Sequence, residues 1–245
     1  MLHKSVKLCY TTKPIGKRGV NSLEARLSHI NRRETLQYLS YRGSAPDEAV
    51  AADLDRCEAA VMQAATPRIV WRLFPIEPDG TLGGSRFRPE GESIRALLAT
   101  CHGAILMAAT LGAAVDALIR KNLHSHMGDA VIMDAAASAA IENVCDNLCE
   151  DLAAAFAPRF LTDRFSPGYG DFPLAQQREL CQVLDITRRI GVSLTESGLM
   201  LPQKTVTALI GVSDQAQPKR HRGCAYCNMY ENCAFRKEGT GCGVS

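Results

Sequence analysis

The sequence lacks both an excess of one charge and a long apolar run. Its 28 basic and 26 acidic residues leave a formal net charge of +2, too small a field to attract nucleic acid or an anionic membrane. No segment approaches the roughly 20 uninterrupted apolar residues of a membrane-spanning helix, and the N-terminus lacks the apolar core of a signal peptide. We therefore expect a soluble, cytoplasmic protein that binds neither nucleic acid nor membrane.

The chain is long and apolar enough to bury a real core. Its 245 residues are 46% hydrophobic, without internal repeats or low-complexity tracts. We predict three parts: an irregular arm over residues 1–30, a folded body over 31–213, and a linker with a cysteine-rich tail over 214–245.

Helical and strand patterns follow one another irregularly in the body, which predicts an α+β fold. Strands are expected at residues 67–76, where Trp71 fits a core position, and at 205–212. Residues 104–111 are nearly all apolar, which suits a central strand as well as a buried helix. Helices are expected at residues 32–41, 47–65, 91–100, 128–156 and 174–190, the last ended by Gly191.

The longest predicted helix carries a polar stripe. Asp134, Ser138, Glu142 and Asp146 recur at i, i+4 spacing and so share one face. The commoner interpretation of such acids is a solvated helix face. The nearby pair His124 and His126 is also more simply a solvated loop than a metal site.

The ten cysteines fall into two groups. Six are scattered singly or on apolar helix faces and are expected to be buried thiols that pack as small hydrophobes: Cys9, Cys57, Cys101, Cys145, Cys149 and Cys181. The other four crowd into the last 22 residues, which indicates a metal site rather than disulfides: Cys224, Cys227, Cys233 and Cys242. Four thiolates suit a [4Fe–4S] cluster or a structural zinc, and a flexible tail with reactive thiols is the remaining alternative.

The segment Arg164-Phe165-Ser166-Pro167-Gly168-Tyr169 combines three chemical abilities. An arginine offers a planar donor fork for a carboxylate, a Pro-Gly pair lets backbone amides approach a ligand, and an aromatic ring can face a cation. These abilities fit S-adenosylmethionine (AdoMet), an amino acid with a positively charged sulfur. Alone, however, such a string is weak evidence, because any Pro-Gly loop needs similar geometry for a turn.

The context of this segment is more specific. It resembles the Arg-x-x-x-Gly-Tyr motif of the activation domain of cobalamin-dependent methionine synthase. The resemblance covers roughly residues 31–213, and the stretches that carry it besides the motif are Arg33-Glu34-Thr35-Leu36-Gln37-Tyr38-Leu39, Ala109-Thr110-Leu111-Gly112, Pro173, Gly191-Val192-Ser193-Leu194-Thr195-Glu196-Ser197, Met200, Pro202 and Thr205-Val206-Thr207-Ala208. It implies a helmet-like α+β fold with a twisted antiparallel sheet flanked by helices, and AdoMet in a shallow groove.

The resemblance also implies roles for individual residues. Arg164 would bind AdoMet through its guanidinium, Gly168 would let the backbone close on the ligand, and Tyr169 would pack beside it. Phe165-Ser166 stands where the family has Pro-Ala, so Ser166 is a less secure contact. An acid of the long helix, Glu142 or else Asp146, would face the ligand, with Glu142 preferred. Catalytic residues stay unassigned.

The activity implied is reductive methylation of cob(II)alamin, with the methyl group taken from AdoMet. No cobalamin-binding Asp-x-His-x-x-Gly loop occurs in these residues, so cobalamin is expected on a partner. That partner would be a methionine synthase lacking its own activation domain, or another corrinoid protein, with flavodoxin or ferredoxin as possible electron donor. The alternative is a non-catalytic adaptor that binds AdoMet or a corrinoid protein and carries a structural zinc knuckle.

Overall fold

A computed structural model describes residues 25–41 and 45–217 of the chain. The four tail cysteines, Cys224, Cys227, Cys233 and Cys242, lie outside the described residues. The described part consists of seven helices, six strands and one 3₁₀ turn. The helices are α1 (Arg32–Tyr38), α2 (Glu48–Ala64), α3 (Glu92–Leu98), α4 (Ala113–Asn122), α5 (Met127–Phe156), α6 (Gln177–Leu184) and α7 (Ile186–Ile190), with the 3₁₀ turn at Leu174–Gln176. The strands are β1 (Arg68–Pro75), β2 (Gly103–Thr110), β3 (Phe160–Leu161), β4 (Ser193–Leu194), β5 (Met200–Leu201) and β6 (Thr205–Ser213).

The main sheet has four strands in the order β1-β2-β6-β3, and every neighbouring pair is antiparallel. A separate two-stranded sheet joins β4 to β5. All eight residues of β2 are buried, which settles the ambiguous segment 104–111 as a central strand. Helices cover both faces of this antiparallel sheet, so β2 has no polar face and its sequence loses the alternation of a half-exposed strand.

Two hydrophobic cores lie on opposite faces of the sheet. Alternate residues of β2 serve each core, with Ile105 and Met107 in one and Leu106 and Ala108 in the other. Helices α2, α4 and α5 supply the first core, while α3, α6 and α7 supply the second. Trp71 is 2% exposed in the first core, as predicted. The expected α+β fold, an antiparallel sheet flanked by helices, is therefore confirmed.

The single helix predicted over residues 174–190 is wrong. A 3₁₀ turn opens this segment, and Asp185 adopts a left-handed conformation (φ 52°) that separates α6 from α7. Its backbone N–H closes α6 by donating to the carbonyls of Cys181 and Gln182. Aspartate tolerates this conformation better than most residues, and the break lets both Leu184 and Ile186 reach the core. The predicted stop at Gly191 (φ 72°) is correct.

No helix among residues 25–41 and 45–217 is long and apolar enough to span a membrane. His124 and His126 are exposed in the connection between α4 and α5. Residues 25–30 form neither helix nor strand, but Ala25, Leu27 and Ile30 pack against the first core.

Candidate ligand-binding site

The polar stripe of α5 is paired with two cations rather than simply solvated. Lys204 Nζ lies 2.8 Å from a carboxylate oxygen of Asp134 and 2.9 Å from Ser138 Oγ. One helical turn or two further along, the guanidinium of Arg164 contacts Glu142 and Asp146. The interpretation of these acids as a solvated face is incomplete, because they are exposed to solvent but also paired, and the sequence did not reveal which basic residues fold against α5.

The side chain of Arg164 packs against the acid-bearing face of α5. Its Nη2 donates to Glu142 Oε2 at 2.7 Å and lies 2.9 Å from Asp146 Oδ1. The side chain is only 12% exposed, whereas those of Glu142 and Asp146 remain 35% and 38% exposed. The carboxylates are thus held in place by a nearly buried cation while they remain accessible to solvent.

The rest of the guanidinium faces the helix. Nη1 of Arg164 is buried and has no hydrogen-bond partner among the described residues. Burial opposes the charge of Arg164, but the attraction of neighbouring acidic groups, among them the carboxylates of Glu142 and Asp146, outweighs burial and raises the pKa of Arg164. Burial also raises the pKa of the Cys145 thiol, which therefore stays protonated at neutral pH. Arg164 accordingly remains fully charged beside a neutral thiol.

The loop that follows Arg164 is fastened to the sheet at its first residue. The backbone of Phe165 exchanges two 2.9 Å hydrogen bonds with Leu209 of β6. The ring of Phe165 stacks on Phe172, with centroids 6.2 Å apart, and packs against the second core. Arg164 therefore lies between β3 and Phe165, which is hydrogen-bonded to the sheet. This position directs the Arg164 side chain toward α5.

Gly168 forms the turn at the tip of this loop. Its φ of +93° lies in the region that favours glycine. A β-carbon there would meet only Leu174 at an ordinary 3.5 Å, so conformation rather than crowding requires the glycine. The Gly168 N–H donates to the Phe172 carbonyl, and the Tyr169 N–H donates to the Ser166 carbonyl at 3.1 Å. Tyr169 is left 66% exposed at the tip.

The far end of the loop caps α3. Asp171 accepts hydrogen bonds from the backbone N–H groups of Glu92 (2.6 Å) and Ser93 (2.9 Å). These bonds lower the pKa of Asp171. The residue at the helix's own N-cap position, Gly91, has no side chain to provide such a cap. The loop therefore supplies what α3 lacks.

Tyr38, the last residue of α1, is a site residue that sequence reasoning missed. Burial together with the charges of Glu142 and Glu34 raises its pKa to about 12, and Tyr169 and Arg164 also lie within electrostatic reach. The ring is nevertheless 53% exposed. The stretch 33–39 carried part of the family resemblance, which was the only signal in the sequence.

The structure thus brings together Arg164, Glu142 and Asp146, and Tyr38 lies within electrostatic reach of Glu142, Arg164 and Tyr169. Ser166 and Gly168 lie in the same loop, where they shape the turn through their backbones. Both candidate acids contact Arg164, and the preference for Glu142 as the acid that faces the ligand stays a prediction. Within residues 25–41 and 45–217, no three metal-ligating side chains cluster.

The α+β fold has a clear counterpart among solved structures. The structure described as "Crystal Structure of the MetH Reactivation Domain bound to AdoHcy" superposes with a TM-score of 0.57. The sequence identity is 17%, and the match covers 91% of this chain and 87% of that chain. At this identity the likeness establishes the fold.

Part of the sequence also matches a known protein family. Residues 135–220 match the family described as "Vitamin B12 dependent methionine synthase, activation domain". That stretch includes the second half of the acid-bearing face of α5, Arg164 with its loop, and β6. Residues 135–220 are therefore similar to the methionine synthase activation domain, in agreement with the resemblance that the sequence indicated. No curated protein matches the sequence.

Proposed function

We propose that this chain binds AdoMet beside Arg164 and presents its methyl group to cobalamin on a separate protein. The observation that carries the proposal is the convergence of Arg164, Glu142 and Asp146 within the segment that matches the activation-domain family. The similar reactivation domain is described as bound to AdoHcy, the demethylated form of AdoMet, which supports a ligand of this class.

The charges of the cluster suit AdoMet. Glu142 and Asp146 against Arg164 leave one negative charge in excess. AdoMet has two cationic groups, the sulfonium and the α-ammonium, which acids and aromatic faces attract. Its carboxylate is an acceptor of the kind that the unpaired Nη1 of Arg164 lacks. A turn of the guanidinium away from α5 would offer that nitrogen to the ligand.

The proposed reaction balances with one external electron. The substrates are cob(II)alamin on the partner, AdoMet, and one electron from a donor such as flavodoxin or ferredoxin. The sulfur–methyl bond of AdoMet breaks, a cobalt–methyl bond forms, and AdoHcy leaves as a neutral thioether. The residues of this chain hold and orient the methyl donor, which is the main contribution that a protein makes to cofactor chemistry of this kind.

The partner we propose is a cytoplasmic, cobalamin-dependent methionine synthase that lacks an activation domain of its own, or another corrinoid protein. The tail cysteines Cys224, Cys227, Cys233 and Cys242 would hold a [4Fe–4S] cluster that delivers the electron, or a structural zinc. Iron, sulfide and zinc analysis of anaerobically purified protein separates the two. One zinc per chain and no visible absorption would favour the adaptor function over the redox function.

A reactivation assay tests the proposal directly. Partner protein in the cob(II)alamin state is mixed with reductant and AdoMet, with and without this chain, and recovery of methyl-transfer turnover is followed. We expect recovery with the intact chain and none with the Arg164→Ala variant. Equal recovery without the chain would overturn the reactivation role, while AdoMet binding without any recovery would favour the adaptor.

A further inference from the structure

The loop that follows Arg164, residues 165–172, is attached at its far end to the start of α3. We call these residues the motif loop. Asp171 accepts hydrogen bonds from the N–H groups of Glu92 at 2.6 Å and Ser93 at 2.9 Å. The next residue, Phe172, is 1% exposed in the second core. The far end of the motif loop is therefore held by one polar and one apolar attachment.

Two glycines allow the motif loop and α3 to approach each other closely. A β-carbon on Gly91 would lie 2.7 Å from the carbonyl oxygen of Asp171 and 2.8 Å from its Oδ1. A β-carbon on Gly170 would lie 2.9 Å from Ser93 Oγ and 3.3 Å from the ring of Phe165. Distances below 3.0 Å are too short for a β-carbon, and at Gly91 one of the obstacles is backbone. A side chain at Gly91 would therefore push the motif loop away from α3.

A second attachment lies just beyond the motif loop. Gln176, in the 3₁₀ turn, accepts from the Glu90 N–H at 2.8 Å and donates to the Arg88 carbonyl at 2.9 Å. The segment that enters α3 is thus bonded to the segment that leaves the motif loop. Because of these bonds, the start of α3 is a fixed partner for Asp171.

The attached end of the motif loop also holds its tip. The Gly168 N–H donates to the Phe172 carbonyl at 2.8 Å, and the Phe172 N–H donates to the Tyr169 carbonyl at 3.0 Å. The other end of the motif loop begins at Phe165, which is bonded to β6. Both ends are therefore attached to the body of the protein, with Gly168 and Tyr169 between them and Arg164 directly before them.

We propose that Asp171 is a positioning residue that holds the motif loop in its binding conformation before AdoMet arrives. This inference rests on the proposed function. A loop that is already ordered in the free protein does not have to be ordered when the ligand binds. The apparent affinity falls with the fraction of molecules in which the binding conformation is present. Loss of the two bonds of Asp171 would lower that fraction, so Asp171 acts through the loop.

The test compares two aspartates that cap helices. Asp171→Ala removes the attachment of the motif loop to α3, whereas Asp47→Ala removes a cap within one segment, in which Asp47 accepts from the Val50 N–H at 2.8 Å at the start of α2. Both aspartates are exposed, so both variants are expected to fold. Titration calorimetry measures the affinity for AdoMet, and urea unfolding measures stability.

Both variants should lose stability, but only one should lose affinity. We expect AdoMet binding to weaken on the order of tenfold in Asp171→Ala and less than about twofold in Asp47→Ala. Asp171→Asn keeps an oxygen that accepts from backbone N–H groups and should restore affinity to within about threefold of the unmodified chain. Equal losses of affinity in Asp171→Ala and Asp47→Ala would overturn the positioning role, because general destabilisation would explain both.

Limited proteolysis measures the motif loop without ligand. Tyr169 is 66% exposed at the tip, and cleavage after it by chymotrypsin requires the loop to open. Asp171→Ala should raise the rate of this cleavage on the order of tenfold, and Asp47→Ala should leave it unchanged. Mass spectrometry identifies the cleavage site, and saturating AdoMet should slow the cleavage again.

The two measurements separate the inference from the proposed function. An unchanged cleavage rate in Asp171→Ala, or faster cleavage with unchanged AdoMet affinity, would overturn the role of Asp171 alone. Absence of AdoMet binding by the unmodified chain would overturn the proposed function and the inference with it.

Discussion

The polar stripe on α5 is paired with one cation at each end, but the surroundings of the two cations differ. At the upstream end Lys204 meets Asp134 and Ser138, and at the downstream end Arg164 meets Glu142 and Asp146. Each cation has a side chain that is 12% exposed. We call these the lysine end and the arginine end of the stripe.

The difference lies in what surrounds each cation. The lysine end pairs one ammonium with one carboxylate and one hydroxyl, and Ser138 in turn donates to the Asp134 carbonyl. The arginine end has a second carboxylate and a guanidinium nitrogen, Nη1 of Arg164, that has no partner among the described residues. The lysine end fastens the start of β6 to α5, and we expect the arginine end to be the one that binds the proposed ligand.

The largest expected difference between the two ends is the loss of AdoMet affinity when the cation of each end is removed. Arg164→Met should lower AdoMet affinity by at least about 100-fold, since bonds to charged groups contribute roughly 1.5–3 kcal/mol each. Lys204→Met should leave affinity within about twofold while it lowers the free energy of unfolding by about 1 kcal/mol. Titration calorimetry and urea unfolding measure the two quantities. Comparable losses of affinity in both variants would abolish the distinction between the ends.

Neutralising one acid at each end should sharpen the contrast. Glu142→Gln is expected to weaken AdoMet on the order of tenfold, because it removes a charge that the cationic ligand would meet. Asp134→Asn removes a charge from the lysine end and should change affinity little. Both variants are read by the same calorimetric titration, and a tenfold effect of Asp134→Asn would count against a binding role confined to the arginine end.

Alanine substitutions at two glycines test whether the loop that follows Arg164 contributes to ligand binding. Gly168 (φ +93°) and Gly198 (φ +86°) both have room for a β-carbon, so alanine at either costs stability through backbone strain alone, about 1–2 kcal/mol. Urea unfolding should show similar losses for Gly168→Ala and Gly198→Ala. Only Gly168→Ala should weaken AdoMet, by a few-fold. A similar weakening by Gly198→Ala would trace the effect to general destabilisation.

The smallest effect concerns the titration of Tyr38. Its pKa of about 12 lies above the ordinary value near 10, so its contribution to stability is complete below pH 10 and is lost as the pH rises through 12. Tyrosinate absorbance, taken as the difference from Tyr38→Phe, reports this step. Glu142→Gln should move the step to lower pH, and Asp134→Asn should leave it in place. No movement with Glu142→Gln would separate Tyr38 from the arginine end.

The elements that the sequence predicted well are those with a local signal. The long helix α5 and strand β1 have clear periodicity, and their ends fall within one residue of the expected bounds. Segment 104–111 stayed ambiguous because burial on both faces removes the polar residues that would mark a strand. The break at Asp185 follows from tertiary packing of Leu184 and Ile186, which no local pattern reveals.

The site was predictable only in part for the same reason. Arg164, Gly168 and Tyr169 belong to one short motif, and its resemblance to a family singled them out. Lys204 pairs with Ser138 across 66 residues of sequence, and Tyr38 reaches the site through the packing of α1 on α5. Such long-range contacts depend on the assembled fold, so the solvated-face interpretation of the stripe could not be corrected from the sequence.

Because Asp171 of the loop caps α3, a measurement on the N-terminus of α3 reports on the position of the loop. The amide protons of Glu92 and Ser93 are protected by a side chain that belongs to the ligand loop. The hydrogen-exchange rates of these two amides therefore report how often the loop opens. The amides themselves need not contact the ligand. Occupancy of the site could be followed through α3 even in a mixture in which the partner's cobalamin dominates the visible spectrum.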